Sequence, residues 1–493
     1  MEKVSQAIAP VISLDRKASD PLHKQIYDGF RTAIVSGNLR SGQRIPSSRV
    51  LAEELRLSRI PVLNAYAQLL AEGYFETRQG SGTFISRALP ESLTFCEQPT
   101  PRGAPGSGPR PVARRPLQQP YGRPPWSGGW GAFGVHQPAF DHFPFAIWSN
   151  LVMRHSRSPR LSAIHNIDPL GAATFREAIC AYLRTARAVR CQPHQVMVVS
   201  GSQQALEISA RVLLETGSPI WFEEPGYLLA RRVFAGAGCK VIPVPVDEDG
   251  MNISAGIERS PRARAAYVTP SHQYPLGSTM SAGRRMQLLN WAQNAGSWII
   301  EDDYDSEYRF DSAPIASLQG LDRNARVIYI GTFSKVLFPS LRLGYIVIPE
   351  DLVDHFAAVR LAMDIFPPYL YQEVITDFMG EGHFARHIRR MRLLLSERRT
   401  ALVAALREQL GSALSVHGAQ AGMHLVVTLP PGFRDRDIDI ATTAAARGLW
   451  LWPLSPSYMG KSPRQGFILG FGNTPAEEMP AAVSKLRSHL RSS

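Results

Sequence analysis

Cysteine is scarce in this chain of 493 residues, which contains only Cys96, Cys180, Cys191 and Cys239. These residues show no C-x-x-C spacing, and no histidine stands at a metal-ligand interval from them. Neither a zinc site nor a disulfide framework is therefore predicted, and we expect no bound metal. A reducing compartment fits this use of cysteine.

Long apolar runs are also missing. The sequence has no stretch of about eighteen apolar residues that could cross a bilayer. The segment 1–17 lacks the continuous apolar core of a secretory signal. We therefore expect a soluble, cytoplasmic protein that does not associate with membranes.

Acidic residues are outnumbered, with 42 Asp and Glu against 54 Lys and Arg, which gives a formal net charge of +12. Clustered cations gain free energy when a polyanion releases its counterions to them, so the excess suits a nucleic-acid partner. On charge alone, a basic soluble enzyme remains an alternative. The length exceeds what one core usually supports, so we expect a small domain joined to a large one.

Residues 15–86 predict three short helices followed by a hairpin, which is the order of a winged helix-turn-helix. Ser47 or Ser48 can cap the second helix and Ser58 the third. The glycine-rich segment 79–82 lies between two short apolar runs and suits the tip of a hairpin wing. The first helix is indicated by apolar residues at helical spacing: Leu22, Ile26, Phe30 and Ile34.

Residues 87–138 are rich in Pro, Gly, Ser and Arg, and such a composition does not bury enough apolar surface to fold alone. We interpret this segment as a linker. Because its arginines outnumber its glutamates, it can hold DNA phosphates without sequence preference, although a solvated tether without contacts is equally compatible. The arginines are Arg87, Arg102, Arg110, Arg114, Arg115 and Arg123.

Residues 139–493 alternate between apolar, strand-like runs and helical stretches. This alternation predicts an α/β domain with a mainly parallel sheet covered by helices. A smaller αβ portion is expected over about 350–493. The strand-like runs lie at 196–200, 219–224, 265–270, 297–303 and 326–332.

Side chains at the ends of these predicted strands suit a site for pyridoxal 5′-phosphate (PLP). Lys335 follows a strand and a Ser/Thr cluster, at the edge of the sheet where α/β proteins bind ligands, and its amine can form a Schiff base with the cofactor. Thr332 and Arg342 bracket it and can reach the phosphate. A lone lysine there would more often be a surface residue, so the assignment depends on its neighbours.

An acidic cluster ends another predicted strand, in the segment SWIIEDDYDSEYRF. Asp302 is our candidate for the acid that faces the pyridine nitrogen. Tyr304 is two residues further on, on the same face of an extended strand, and can bond the phenolic oxygen of the cofactor. Taken alone, such a cluster would fit a divalent metal site or an exposed loop better.

Polar loops complete the predicted site. A turn before a helix predicted to begin near Ala205 can cradle a phosphate with backbone N–H groups and hydroxyls. The candidates in this turn are Gly201, Ser202 and Gln203. Tyr227 is placed to stack on the pyridine ring, and His272 and Gln273 are polar neighbours, although these side chains can equally be structural.

The motifs, in this order, resemble the MocR subfamily of GntR-type transcription regulators over essentially the whole chain. In the first domain the resemblance rests on SGNLRSGQRIPSSRVLAEELRLSR, AYAQLLAEGY and RQGSGTF. In the second it rests on SGSQQAL, EEPGY, TPSHQYPLG, IEDDYDSEYR and GTFSKVLFPSLRLGY.

The resemblance implies a winged helix-turn-helix joined to a fold-type I aminotransferase-like domain. It implies a head-to-tail homodimer in which the winged domain of one chain packs on the large domain of the other. It also implies an internal aldimine between PLP and Lys335. The other implied cofactor contacts are Asp302, Tyr304, Tyr227, Thr332 and Arg342.

The implied function is DNA-binding transcription regulation, in which the aminotransferase-like domain acts as a sensor and not as an enzyme. The sensed molecule would be an amine or amino-acid metabolite, or PLP itself. The alternative is a genuine PLP-dependent aminotransferase with an accessory basic domain, since Lys335 and Asp302 are the groups that transamination requires. The winged domain favours the regulator.

In the DNA-binding half, we expect the third helix to enter the major groove while the wing contacts the backbone or the minor groove. Arg59 and Asn64 are the candidates for contacts with base edges. The candidates for phosphate or wing contacts are Arg44, Ser48, Arg49, Arg78 and Gly80.

One departure from the family pattern concerns the effector. Relatives that bind amino-acid carboxylates carry an arginine near the final strand, and here that position falls near Ile468. Arg464 is close in sequence, but the loop can point it elsewhere. A carboxylate effector held by a bidentate arginine is therefore not supported, which leaves an amine without a carboxylate, or PLP itself.

Overall fold

The computed structural model describes residues 14–16, 18–78, 80–87, 124–157, 168–310, 315–411, 414–430, 433, 436–460 and 463–491. The chain divides into two compact units, Met1–Val112 and Ala113–Ser493. No helix among the described residues is long and apolar enough to cross a membrane. Most of the segment predicted to be a linker, residues 88–123, lies outside the described residues.

The first unit is a winged helix-turn-helix, as predicted. Its elements are α1 (Leu22–Val35), α2 (Ser48–Glu54), α3 (Arg59–Ala71), β1 (Phe75–Arg78) and β2 (Gly82–Ile85). Strands β1 and β2 pair antiparallel to form the wing. Gly80 at its tip has φ +73°, which glycine adopts without strain, whereas Gln79 lies outside the described residues.

An aromatic cluster holds the first unit together. Phe30 on α1 packs edge to face against Tyr66 on α3 and Phe75 on β1, with ring centroids 5.7 and 5.3 Å away. Ser47 caps α2 by accepting a hydrogen bond from the backbone N–H of Val50. The sequence predicted either Ser47 or Ser48 as this cap. Ser58 occupies the N-cap of α3 but makes no capping hydrogen bond through its side chain. These contacts fix the orientation of α3 relative to the wing.

The second unit alternates helices and strands. Its first half comprises α4 (Phe145–Arg157), α5 (Ala173–Arg187), β3 (Val196–Val199), α6 (Ser202–Leu213), β4 (Pro219–Glu224), α7 (Leu228–Gly236), β5 (Lys240–Asp247), β6 (Gly250–Met251), α8 (Ile253–Arg259), β7 (Ala265–Val268), α9 (Ala282–Ala295) and β8 (Trp298–Asp303). The second half comprises α10 (Leu318–Leu321), β9 (Val327–Thr332), β10 (Gly344–Val347), α11 (Val353–Asp364), α12 (Leu370–Gly380), α13 (His383–Leu410), β11 (Ser415–His417), β12 (His424–Thr428), α14 (Asp437–Ala445), β13 (Trp452–Pro453), β14 (Gly466–Gly470) and α15 (Met479–Arg491).

An eight-stranded sheet forms the centre of this unit, in the order β3-β10-β9-β8-β7-β4-β5-β6. The strands from β9 to β5 pair in parallel, whereas β10 runs antiparallel to both of its neighbours. Alternate residues of β9 pack into two different apolar clusters, with Ile330 on one face and Tyr329 on the other. The predicted mainly parallel sheet with helices on its faces is confirmed, and its parallel strands end at a common edge.

A second sheet, β11-β12-β14-β13, is antiparallel throughout. It belongs to the smaller αβ portion, which was expected from about residue 350. However, Phe356 on α11 packs into the apolar cluster of the large sheet, so the chain enters the smaller portion only after this helix.

Residues 124–138 were assigned to the linker by their composition, but the structure places them in the second unit. Phe133 is fully buried and forms an isolated antiparallel bridge with Gly470 of β14. The side chain of Asn473 donates a 2.7 Å hydrogen bond to the carbonyl of Gly131. Glycine and proline allow this segment to follow the smaller sheet closely. Because the same residues are common in unstructured segments, composition alone predicted a linker here.

Candidate functional site

A cavity of about 200 Å³ lies at the edge where the parallel strands of the large sheet end. Its position is the one at which open α/β sheets bind ligands. It is lined by His136, Ser202, Gln203, Tyr227, Leu229, Tyr267, Thr269, Tyr274, Asp302, Tyr304, Thr332, Ser334, Lys335, Pro339 and Arg342. We call it the lysine cavity.

Most of the side chains that the sequence assigned to the cofactor lie in this lysine cavity. They are Lys335, Asp302, Tyr304, Tyr227, Ser202, Gln203, Thr332 and Arg342. Gly201 lies just behind Arg342, whereas His272 and Gln273 do not line the cavity. Residues separated by up to 140 positions therefore meet in one place because their strands end at the same edge.

Lys335 follows β9, with Ser334 and Thr332 beside it. Burial lowers the pKa of its amine to about 7, although Asp305 and Asp302 oppose this shift by favouring the charged form. An amine with a pKa near neutrality is a nucleophile at physiological pH, because a large fraction of it carries no proton.

Asp302 is the penultimate residue of β8 and is 3% exposed. Its Oδ2 accepts a 2.8 Å hydrogen bond from the hydroxyl of Tyr267, whereas its Oδ1 is buried without any partner. Burial raises the pKa of this carboxyl to about 7. A buried carboxylate oxygen without a donor is costly, so this atom is suited to a ligand group that can donate a hydrogen bond.

The neighbouring acids on β8 have different partners. Glu301 accepts hydrogen bonds from the backbone N–H groups of Leu318 and Gln319, at 2.8 and 2.9 Å. Asp303 forms a buried 2.8 Å ion pair with Arg187. Of these three acids, only Asp302 lines the lysine cavity.

The turn between β3 and α6 faces the lysine cavity from the other side. Helix α6 begins at Ser202, three residues earlier than predicted, because Gly201 has φ +93° and allows the chain to turn directly into the helix. The Arg342 guanidinium donates a 2.7 Å hydrogen bond to the carbonyl of Ser200, and a Cβ on Gly201 would lie 3.1 Å from this guanidinium. The Nε2 of Gln203 is buried without a partner. Together, the start of α6 and the guanidinium form a site suited to an anion.

Aromatic side chains close the lysine cavity. Tyr227 packs edge to face against Tyr274 at 5.3 Å, and His136 stacks on Tyr274 at 5.8 Å. Tyr304 directly follows β8, and its hydroxyl donates a 2.9 Å hydrogen bond to the carbonyl of His272. Burial raises the pKa of Tyr227 and Tyr274 above the ordinary value, so both phenols stay protonated.

Five polar residues of the cavity were missed at the sequence level: His136, Tyr267, Thr269, Tyr274 and Ser334. Ser334 belongs to the Ser/Thr cluster before Lys335 but was not named individually. The strand-like run at 265–270 contains Tyr267 and Thr269, and its position beside the acidic strand was the available signal. Tyr274 lies in the quoted motif TPSHQYPLG. His136 had no such signal, since it falls in a segment whose composition indicated a linker.

His272 and Gln273, predicted to be polar neighbours of the cofactor, instead stabilise the wall behind the lysine cavity. His272 pairs with Asp305 at 3.0 Å, and Gln273 donates hydrogen bonds to Glu223 and to the carbonyl of Pro225. His272, Asp305 and His424 have one potential ligand atom each within 4.8 Å of one another. This buried group was not predicted, because its members are far apart in sequence.

Ile468 is fully buried in β14, in an apolar cluster with Tyr274 and Leu454. It therefore supplies no charge where carboxylate-binding relatives are expected to carry arginine. Arg464 lines a different cavity, together with His417, Asp247 and Glu248, and is not among the residues of the lysine cavity.

The predicted DNA contacts lie on the first unit, and most of them are exposed. The Arg59 side chain at the start of α3 donates a 3.1 Å hydrogen bond to Ser48 at the start of α2. Arg78 on the wing pairs with Glu76 at 2.6 Å and lies over the ring of Phe84. Ser48 is half-buried, and the exposed candidates are Arg44, Arg49, Arg59, Asn64, Arg78 and Gly80.

Comparison with known proteins gives the same division of the chain. The family described as bacterial regulatory proteins, gntR family, matches residues 22–85, and aminotransferase class I and II matches residues 159–455. The chain is 40% identical to the probable rhizopine catabolism regulatory protein MocR of Rhizobium meliloti, over 97% of this chain and 95% of the relative. It is 34% identical to an uncharacterized HTH-type transcriptional regulator of Bacillus subtilis (strain 168), over 96% and 97%.

Among solved structures, a kynurenine aminotransferase from Pyrococcus horikoshii, in complex with PMP, matches 73% of this chain and 90% of its own, with a TM-score of 0.67 and 26% identity. The second unit therefore has the aminotransferase fold.

Proposed function

The chain belongs to the MocR subfamily of GntR-type transcription regulators, and from this premise we propose how its two units divide the function. The first unit binds double-stranded DNA through α3 and the wing. The second unit holds PLP in the lysine cavity and uses it to sense a small molecule. The observation that supports this proposal most directly is the cavity itself, in which a buried amine lies with a carboxylate whose Oδ1 has no partner.

The residues present fit the cofactor. Lys335 would hold it covalently, and the unpaired Oδ1 of Asp302 would accept a hydrogen bond from a protonated pyridine nitrogen. Ser202, Gln203 and Arg342 would hold the phosphate, with the unpaired Nε2 of Gln203 as a donor. Further contacts are assigned to Thr332, Tyr227, Tyr304 and the backbone of Gly201. When bound, PLP supplies an electrophilic carbon that reacts with primary amines.

We further propose that the effector is a primary amine without a carboxylate. Among the described residues that line the lysine cavity, Arg342 is the one guanidinium, and it is assigned to the phosphate. Ile468 is apolar and Arg464 lies in another cavity. A carboxylate on the effector would therefore be buried without a cationic partner, which is unfavourable. PLP itself is the second candidate signal.

The proposed assembly is a homodimer, arranged head to tail, in which the two winged domains bind the two half-sites of one operator. Effector binding would change the spacing of these domains, which determines how well they fit the half-sites. Since the DNA target is the chromosome, we place the protein in the cytoplasm.

A gel-shift on the DNA immediately upstream of the gene tests the proposal, with the full-length protein prepared with PLP, without PLP and as Lys335→Ala. Specific binding at physiological salt is expected in at least one of these states. A difference between the states would make PLP part of the signal, whereas equal specific binding would direct the search to amines. Failure of every form to bind this DNA in preference to unrelated DNA would overturn the proposal.

A genuine aminotransferase remains the second candidate, because Lys335 and Asp302 lie in one cavity on an aminotransferase fold. Its test is steady-state turnover of PLP-loaded protein with amino donors and keto-acid acceptors. Sustained turnover of about one per second or faster would favour the enzyme, since typical enzymes reach such rates. A single half-reaction without turnover is what a sensor would show.

A further inference from the structure

Helix α3 carries apolar residues on both of its faces. Its inner face, with Val62, Ala65, Tyr66 and Leu69, is buried in the core of the first unit. The opposite face exposes Ile60, Leu63, Asn64 and Ala67, which follow the i, i+3, i+4, i+7 spacing of a single helical stripe. We call these four residues the α3 stripe.

The exposure of the α3 stripe is large for aliphatic side chains. Ile60 is 68% exposed and Leu63 is 41% exposed. A surface helix normally carries polar or charged residues on its outer face, because apolar side chains gain free energy by leaving water. The exposed apolar members of the stripe, Ile60, Leu63 and Ala67, are therefore suited to contact with another molecule.

The charges around the stripe indicate which molecule that is. Helix α3 contains no acidic residue, and its single charged side chain is Arg59 at its start. The hydrogen bond from Arg59 to Ser48 ties this end of α3 to the start of α2, where Arg49 is exposed. The cations at one end of the stripe and the absence of acids suit a polyanion. The apolar side chains of the stripe suit a polyanion that also exposes apolar groups in a groove between its two charged strands.

Double-stranded DNA has one such group in its major groove, the 5-methyl group of thymine. We propose that Ile60 and Leu63 contact thymine methyl groups and that Asn64, on the same stripe, reads an adjacent adenine. The protein would then select operators with A·T pairs under α3. This inference rests on the proposed function and adds the class of sequence that is recognised.

Deoxyuridine tests the proposal, since it pairs like thymidine but lacks the methyl group. A random-sequence duplex pool is first enriched on the full-length protein, and the best sequence is then synthesised with thymine or with uracil at single positions. The wild-type protein is expected to lose affinity about fourfold for each contacted methyl that is removed, the size expected for one buried carbon group. Ile60→Ala should lose at least as much affinity for thymine DNA, and it should lose no more when the thymine that Ile60 contacts is replaced by uracil.

Val35→Ala is the matched control, because Val35 at the end of α1 is an aliphatic residue whose exposure (53%) lies between those of Ile60 and Leu63. It should discriminate thymine from uracil as the wild type does. The wild type, Ile60→Ala and Val35→Ala should have the same midpoint of thermal unfolding, since both substituted side chains are exposed.

Three results would overturn the inference. Wild-type protein that binds uracil DNA as tightly as thymine DNA would show that no methyl group is read. Ile60→Ala that still discriminates fully, with Leu63→Ala doing the same, would assign the reading to other residues. A change of oligomeric state in Ile60→Ala without loss of discrimination would mean that a second copy of the chain covers the stripe. Failure to enrich any sequence would instead refute DNA recognition itself, and the proposed function with it.

Discussion

The hydroxyl of Tyr267 donates a 2.8 Å hydrogen bond to Oδ2 of Asp302, while Oδ1 of the same carboxylate has no partner. The two residues lie on adjacent parallel strands, β7 and β8, and both are buried. Tyr267 therefore holds one oxygen in place and leaves the other free for a ligand. This arrangement makes Asp302 the residue on which cofactor binding should depend most among the acids of β8.

Asp302→Asn is predicted to weaken PLP binding by about 10- to 100-fold, since a hydrogen bond to a charged group contributes about 1.5–3 kcal/mol. Tyr267→Phe should weaken PLP binding less, because this substitution removes only the hydrogen bond that holds the carboxylate of Asp302 in place. The measurement is a titration of apo-protein with PLP, followed by absorbance. Equal affinity of Asp302→Asn and wild type would contradict the role assigned to Oδ1.

Lys335 is predicted to capture PLP with a pH dependence centred near pH 7. Only the unprotonated amine is a nucleophile, and burial lowers its pKa to about 7. The rate of appearance of the visible absorption band should therefore rise about tenfold per pH unit below that value and level off above it. Lys335→Ala should give no band at any pH. A rate that keeps rising towards pH 10 would show that the amine has its ordinary pKa.

Arg342→Ala is predicted to lower the affinity for PLP much more than the affinity for pyridoxal, which lacks the phosphate. The guanidinium lies beside Gly201 at the start of α6, where it can offer a bidentate contact to a phosphate, and the substitution would remove this contact. Comparative titrations with the two compounds measure the difference. Arg464→Ala, in the other cavity, is the control and should change neither affinity. An equal loss for both compounds in Arg342→Ala would assign this residue a purely structural role.

The acids of β8 illustrate how far sequence reasoning extends. The pattern placed an acidic cluster at the end of a strand near the lysine, and Asp302 was selected from it. The sequence could not show that Glu301 caps α10 or that Asp303 pairs with Arg187, since these partners lie 17 or more residues away. Strand alternation narrows the choice of face, but long-range partners decide which acid presents an unpaired oxygen to the lysine cavity.

His136 is a residue of the lysine cavity that the sequence did not predict. Its surrounding segment is rich in Gly and Pro, and composition indicated a linker, but Phe133 nearby is buried against the smaller sheet. Composition reports the average tendency of a segment to fold alone, whereas this segment is ordered by a surface that the rest of the chain provides. Local patterns therefore predicted the helices of the first unit, five strands of the large sheet and most of the residues that line the lysine cavity. They did not predict that residues 124–138 belong to the second unit and contribute His136 to this cavity.

Arg187→Met is predicted to destabilise the second unit by about 3–5 kcal/mol, because it leaves the buried Asp303 without its cation. Burial alone would raise the pKa of Asp303, but Arg187 and the hydroxyls of Tyr329 and Ser306 lower it below the ordinary value. Chemical denaturation followed by circular dichroism measures the effect. The double variant Arg187→Met with Asp303→Leu should recover part of the loss, since no unpaired charge remains. A double variant as unstable as the single one would show that the loss comes from packing.

The two classes of DNA contact are predicted to respond differently to salt. Arg44 lies beside Gly82 of the wing, where a cation can contact a phosphate, so Arg44→Ala should weaken binding to all sequences and reduce the slope of log K against log salt by about one. Asn64→Ala, on the outer face of α3, should weaken binding to the selected sequence only, by about 1–3 kcal/mol, with the slope unchanged. Fluorescence anisotropy over a salt series, with specific and unrelated duplexes, separates the two effects. If Asn64→Ala weakened both duplexes equally, α3 would contact the backbone and the sequence would have to be read elsewhere on the first unit.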